Sequence, residues 1–304
     1  MDALERDFYE ERRRKWRRSA FWRGFAVALV IFLVIGGIIG SDLLRAQQMH
    51  VARVDITGVI RENREREELL TNLAEARGAR AVILRINSPG GTTAGAEGVY
   101  EAIRTLAETR PVVAVLGEVA ASGGYVVALG ADHIIGRGNT LTGSIGVIME
   151  YPDLTGVMER LGIGMETVRS SELKAEPSPF RPTNPAARAR DEALVAESYD
   201  WFRGLVGARR GLDGPALDQV ANGGVFTGRL ALDNGLIDAI GGENAAREWL
   251  ESQEEGLGSL PVRNWEVSER RSILGGLLGN LAASDGILGE ISRRHGPKLY
   301  SLTP

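Results

Sequence analysis

Residues 81–91 read AVILRINSPGG, and residues 112–124 read VVAVLGEVAASGG. Each opens on a short, mostly apolar run and breaks at paired glycines. A strand with one wet face would alternate apolar and polar residues. These do not alternate, so both faces are covered, as in a parallel strand of an α/β sheet. Between them, Ala94–Thr109 carries Val99, Ile103 and Leu106 at helical spacing. Working outward, Val51–Ile60 reads as a strand and Glu65–Arg77 as a helix closed by Gly78. A short helix over Ser122–Gly130 is followed by strands near His133–Ile135 and Ile145–Met149. Helices are predicted over 184–210, Pro215–Ala221 and Glu243–Glu251, with FTG at 226–228 between the last two. Repeated β-turn-α units of this length predict an α/β fold with a mostly parallel sheet and helices on its faces.

Bulk composition narrows the function. The 304 residues are 43% apolar and 25% charged, ordinary for a folded chain, and the net charge of −4 argues against a general nucleic-acid binder. There is no cysteine, which excludes disulfides, thiol catalysis and cysteine metal sites.

Four regions follow from the pattern. Residues 1–23 are basic, with RRRKWRR at 12–18 and eight Lys/Arg in all. Residues 24–41 form 18 uncharged, mostly apolar positions, a helix of roughly 27 Å that is just long enough to cross a bilayer. The apolar run is longer than that of a cleaved signal peptide, and no A-x-A-like site follows, so an uncleaved anchor is expected. The positive-inside rule then puts residues 1–23 in the cytoplasm and everything after Ser41 on the outer face, in a periplasm or outside the cell. A domain is expected over 48–252. The tail at 253–304 contains SILGGLLGNL, 272–281, which would gather its apolar residues on one helical face.

Why does VAASGGY, 119–125, surround one serine with nothing larger than a methyl group? Small neighbours admit a second backbone, which serves a nucleophile and tight helix packing alike. In α/β sheets reactive groups collect at the carboxyl ends of strands, where both glycine-rich breaks fall. A nucleophilic serine needs a base. The histidines are His50, near the predicted anchor, His295, in the tail, and His133, expected inside a strand. From residue 48 onward the only lysines are Lys174 and Lys298, and arginine stays protonated. Elimination leaves Lys174, in SSELKAEPSPF, as the candidate base; the bland alternative is a solvated loop cation.

INSPGG at 86–91, AASGGY at 120–125, TGSIGV at 142–147 and SSELKAEPSPFRP at 170–182 together resemble signal peptide peptidase A, a membrane-anchored Ser/Lys protease family with the Clp protease/crotonase fold. The likeness runs from about Val51 to Trp249. It implies Ser122 as nucleophile, Lys174 as general base, Ser144 as the group that orients the lysine, and the Gly91 and Gly123 N–H groups as oxyanion hole. It also implies a homo-oligomer, an octamer in the short single-domain form, with serine and lysine supplied by adjacent subunits. No cofactor, metal or nucleic acid is expected; the partners are the membrane and peptides left from cleaved signal sequences. A peptide is expected to lie as a strand along 142–149, touching Thr142, Gly143 and Ile145, with Gly90 on its other side. Lys174 must be neutral to accept a proton, so burial must hold it below its ordinary value of about 10.4. Glu172 and Glu176 are therefore expected to point away. A β-branched residue at Gly91 is expected to harm turnover more than stability. The alternatives are a stomatin-type membrane protease, a non-catalytic membrane scaffold and a crotonase-like acyl-CoA enzyme.

Overall fold

The computed structural model describes residues 48–266 and, upstream, seven helical positions between Trp22 and Leu33. Most of the predicted anchor and the apolar stretch 272–281 lie outside the described residues. Among the described residues no helix is long and apolar enough to cross a membrane.

The two apolar runs are strands. β1 (His50–Thr57), β2 (Ala79–Ser88) and β3 (Val112–Ala121) lie side by side and parallel. β4 (His133–Gly136) pairs with the first half of β3, and β5 (Leu141–Gly143) with the second half, both parallel. β6 (Val225–Thr227) joins β5 antiparallel, β7 (Ala239–Ile240) joins β4, and β8 (Val262–Trp265) closes the far edge beside β1. Two expectations are corrected here. The segment 145–149 is not a strand, because pairing ends at Gly143. The sheet also reaches beyond residue 252, since β8 comes from what the sequence pattern assigns to the tail.

Both faces of the sheet are covered. Ala52, Val54, Ile56, Val82, Leu84 and Ile86 face α1 (Arg64–Glu75), α2 (Thr93–Ala107) and α3 (Gly123–Ala128), in one core with Leu73, Val99, Ile103 and Tyr125. Val51, Ala81, Ile83, Val113 and Ile135 face the other way, onto Ala246 and Leu250 of α8 (Glu243–Gln253). Fully burying each large aliphatic side chain contributes about 1.5–3 kcal/mol. Thr92 caps α2 by accepting from the Gly95 N–H at 3.2 Å. α4 (Thr155–Arg160) has no buried residue. α5 (Pro185–Arg210) starts on an Asn184 cap with proline in its first turn and ends at Gly211, left-handed at φ 64°. α6 (Gly214–Val220) and α7 (Gly228–Asp233) complete the described set.

One irregularity positions the site. Ile86 pairs with Leu116 and Ser88 with Ala120, so two steps along β2 match four along β3. The extra residues form a bulge at Gly117–Glu118, which bends the strand and lets its second half pick up β5. Asn87 holds it: its Oδ1 accepts from the N–H groups of Glu118 (3.0 Å) and Val119 (3.1 Å). A Cβ on Gly117 would sit 2.8 Å from that oxygen, so residue 117 has to be glycine while Asn87 is in place. Asn87→Ala removes the acceptor that both N–H groups share and should cost about 1–3 kcal/mol, read as a lower urea midpoint. An unchanged midpoint would mean that the bulge does not depend on Asn87.

Candidate active site

β2, β3 and β5 each end at the same level, and each hands the chain to a turn that matters. After β3, Ser122 stands at φ 53° and ψ −121°, a region that residues with a Cβ rarely enter. Its N–H donates to the Gly143 carbonyl at 2.8 Å, and its own carbonyl accepts from Tyr125 and Val126 at 2.9 and 3.0 Å. Tyr125, wholly buried, donates its hydroxyl to the Leu236 carbonyl at 2.7 Å, which pins α3; burial raises its phenol well above the ordinary range. After β5, Ser144 is at φ 50°, its N–H on the Gly224 carbonyl at 2.7 Å. Ala121 pairs with Gly143, so Ser122 and Ser144 are the next two positions of parallel neighbours.

The turn after β2 meets α3 backbone to backbone. A Cβ on Gly90 would lie 3.0 Å from both the Gly123 nitrogen and the Ser122 Cβ, and one on Gly123 would lie 3.2 Å from the Gly91 nitrogen. A Cβ on Gly124 would come within 2.7 Å of the Ser88 carbonyl oxygen. The glycines of SGGY therefore serve close packing and an open serine together. The N–H groups of Gly91 and Gly123 lie side by side, and neither donates to another group among the described residues. α3 has only six residues, so an anion here would be met by individual N–H groups more than by a long helix dipole.

Ser122 and Ser144 line a cleft of about 1000 Å³ whose other walls are residues 146–151, one side of α5 from Arg188 to Tyr199, and 221–223. Ser122, Gly91 and Gly123 also line a smaller pocket of about 100 Å³, closed by Ala96, Val126, Trp201 and Phe202. Thr142 and Ile145 are fully buried, and the Thr142 hydroxyl donates to the Ala120 carbonyl at 2.6 Å. β5 is paired on both sides, to β3 and to β6, so Thr142 and Gly143 offer no free strand edge to a peptide, and that expectation is corrected. The apolar pattern of 142–149 did not reveal this.

Lys174 is the member the chain does not bring in. It is exposed, lines neither cavity, and its side chain has no hydrogen-bond or ion-pair partner among the described residues. It sits on a long excursion in which no residue from 146 to 175 is buried. Glu176 points away from it as expected, held by Arg169 and by Arg181 at 2.7 Å. The two histidines among the described residues are structural, and His295 lies outside them. His50 and His133 open β1 and β4, at the opposite strand ends from Ser122. His50 accepts from the Trp265 indole at 3.1 Å, and His133 stacks on Trp249 at 4.9 Å. Burial lowers the pKa of both. Sequence reasoning missed Asn87, whose only signal was its place before SPGG, and Trp201, hidden among ordinary helix residues.

Residues 104–257 match the family model for peptidase family S49, and residues 46–136 match that for Clp protease. A Synechocystis sp. protein described as a protease is 35% identical over 200 residues, which cover 66% of this chain and 72% of the relative. The chain belongs to peptidase family S49. It is 36% identical over 180 residues to the chloroplastic serine protease SPPA of Arabidopsis thaliana, 59% of this chain but 27% of that one. An Enterococcus faecium protein described as a signal peptide peptidase is 30% identical over 230 residues, 69% of this chain and 65% of the relative. The S49 chain thus spans about a quarter of the plant protein and just under two thirds of the Enterococcus one. Its fold is the α/β arrangement predicted, with the Clp protease match on the first half of the sheet.

The expectation for Gly91 changes. A Cβ there would fall 1.7 Å from the Ile60 carbonyl oxygen, and Thr92 N–H already binds that oxygen at 2.9 Å. Gly91→Ala should therefore lower stability along with activity, by about 1–3 kcal/mol or more, seen as an earlier thermal transition. A variant with wild-type melting and lost activity would restore the purely catalytic reading.

Proposed function

We propose that this S49 peptidase is a membrane-anchored serine endopeptidase that cuts extended apolar peptides, such as those left from signal sequences, with Ser122 as nucleophile and Lys174 of an adjacent copy as base. The observation that carries the reading is Ser122 itself: strained at a strand-to-helix turn, open to a cleft, beside two unpaired glycine N–H groups. This is what acyl transfer requires. Ser122 Oγ attacks the scissile carbonyl as Lys174 Nζ takes its proton. The developing oxyanion is met by the N–H groups of Gly91 and Gly123. The resulting ammonium gives its proton to the leaving amine, and water, activated by the same amine, then releases the acyl group. Ser144, beside Ser122 on the same cleft, is the proposed acceptor for the lysine amine. The rate should rise above neutral pH without a histidine step near 6.5.

Supply of the lysine by a neighbour is supported by the excursion that carries it. Ile148, Val157, Leu161, Ile163 and Val168 are exposed there, Val168 by 98%, apolar side chains that a neighbouring copy would cover. The anchor is supported by the length and character of 24–41 and by exposed Phe25, Leu29, Val30, Phe32 and Leu33 within it. It places the domain on the outer face by the positive-inside rule. An octamer and signal-peptide substrates follow from the resemblance to signal peptide peptidase A and from the name of the Enterococcus relative. Membership of a peptidase family leaves the acyl-CoA reading without support.

Ser122→Ala and Lys174→Ala should each be inactive and folded. Mixing the two before assembly should restore activity at about a quarter of the sites, since one copy's lysine meets the other's serine. Mixtures as dead as their parents, with mixed assembly verified, would rule out the shared dyad.

The pocket of about 100 Å³ beside the two N–H groups suits a small side chain just before the cut. Trp201→Ala deepens it and should move the preference in kcat/KM from alanine toward leucine or phenylalanine at that position by about tenfold or more. An unchanged preference would put the specificity pocket elsewhere.

A further inference from the structure

Among the described residues three non-glycine residues have positive φ: Ser122, Ser144 and Ala175, the last at 59°. Two border the cleft; the third joins Lys174 to Glu176. Such a conformation costs about 1–3 kcal/mol and persists only where the surroundings impose it. At Ala175 the surroundings are an arginine cluster. Glu176 is the only buried residue between Ile145 and Ala187, and its side chain is 2% exposed. Its Oε1 accepts from Arg169 Nη1 and, at 2.7 Å, from Arg181 Nη2. Arg181 also donates to Thr167 Oγ1 at 2.7 Å. Behind the turn, Arg190 of α5 donates to the Glu176 carbonyl at 2.7 Å and to Asp191 Oδ1 at 2.9 Å. The hydrogen bond from Arg169, followed by Arg181, holds the Glu176 carboxyl below the usual carboxylate range.

We infer that Glu176, Arg169 and Arg181 form a positioning clamp for Lys174: they lock the left-handed turn that aims the lysine outward, and they engage the carboxylate that would otherwise pair with it. The inference rests on the reading of Lys174 as the base. A free carboxylate two residues away would stabilise the ammonium and weaken the base. The charged groups around the lysine turn are Glu172, Glu176, Arg169 and Arg181 on the loop, with Arg190 and Asp191 on α5. A neighbour's cleft adds Glu150, Arg188, Asp191 and Glu192. Changes in the clamp leave all the others in place.

The test is a pH–rate series on the full-length protein, with assembly checked by light scattering. In Arg169→Gln/Arg181→Gln the neutral-pH rate should fall about tenfold or more, as expected for a misplaced group. The alkaline rise of kcat/KM should move to higher pH by about half a unit or more. Adding Glu176→Gln should return the rise to its wild-type position while kcat stays low, because the charge is gone and the lock is still missing. Should the glutamine variant fail to assemble, Arg169→Lys/Arg181→Lys keeps both charges, and it should lose rate without displacing the rise. A wild-type rate in the glutamine variant, or a displacement that Glu176→Gln does not reverse, overturns the clamp. Lys174→Ala separates the two readings. If it stays active, the base assignment itself fails; if it is dead while the clamp variants behave as wild type, only the clamp fails.

Discussion

The structure depends on one close approach: the turn after β2 against the first turn of α3, with glycine on both sides. A Cβ on Gly90 or Gly123 would come within 3.0–3.2 Å of the facing turn, and one on Gly124 would fall 2.7 Å from the Ser88 carbonyl oxygen. That contact sets two unpaired N–H groups side by side and forces the chain through Ser122 in a strained conformation. It also explains why α3 is tightly held, since its Tyr125 is wholly buried and bonded at the hydroxyl. Packing and chemistry make the same demand on these residues, so neither can vary without the other.

Strain is concentrated where function is proposed. Ser122 and Ser144 follow paired strands and are each held by an N–H bond to a neighbouring carbonyl. The sheet supplies the rigidity, and the Asn87-held bulge supplies the geometry, because only a bent β3 can pair with β4 along one half and β5 along the other. The cost of such backbone conformations is a few kcal/mol, small against a core that covers both sheet faces.

The Lys174 excursion obeys a different logic. Its apolar side chains face outward, and its one buried side chain is an ion-paired carboxylate. A segment of this kind does not stabilise its own chain by burial, so its shape depends on the arginine cluster at its base and on whatever covers its apolar surface. Within one chain Lys174 stays apart from the cleft that Ser122 lines, so the proposed dyad requires a second copy.

By itself the sequence determined the α/β class, most helices within two or three residues, and the glycine turns at the strand ends, because apolar periodicity and turn chemistry are local. It also offered Lys174 as a candidate base, since a chain with three histidines and almost no lysine leaves few bases to choose from. It could not show that 145–149 leaves the sheet, that β8 joins it from beyond residue 252, or that Thr142 and Ile145 turn inward. Those outcomes depend on which strand edges remain free and which face the core reaches. Nor could local pattern reveal that Gly91 lies against Ile60, or that Glu176 is buried among arginines contributed from both sides of it. Contacts between residues distant in the chain are decided by the packed structure, where excluded volume and desolvation act on neighbours that the linear order keeps apart.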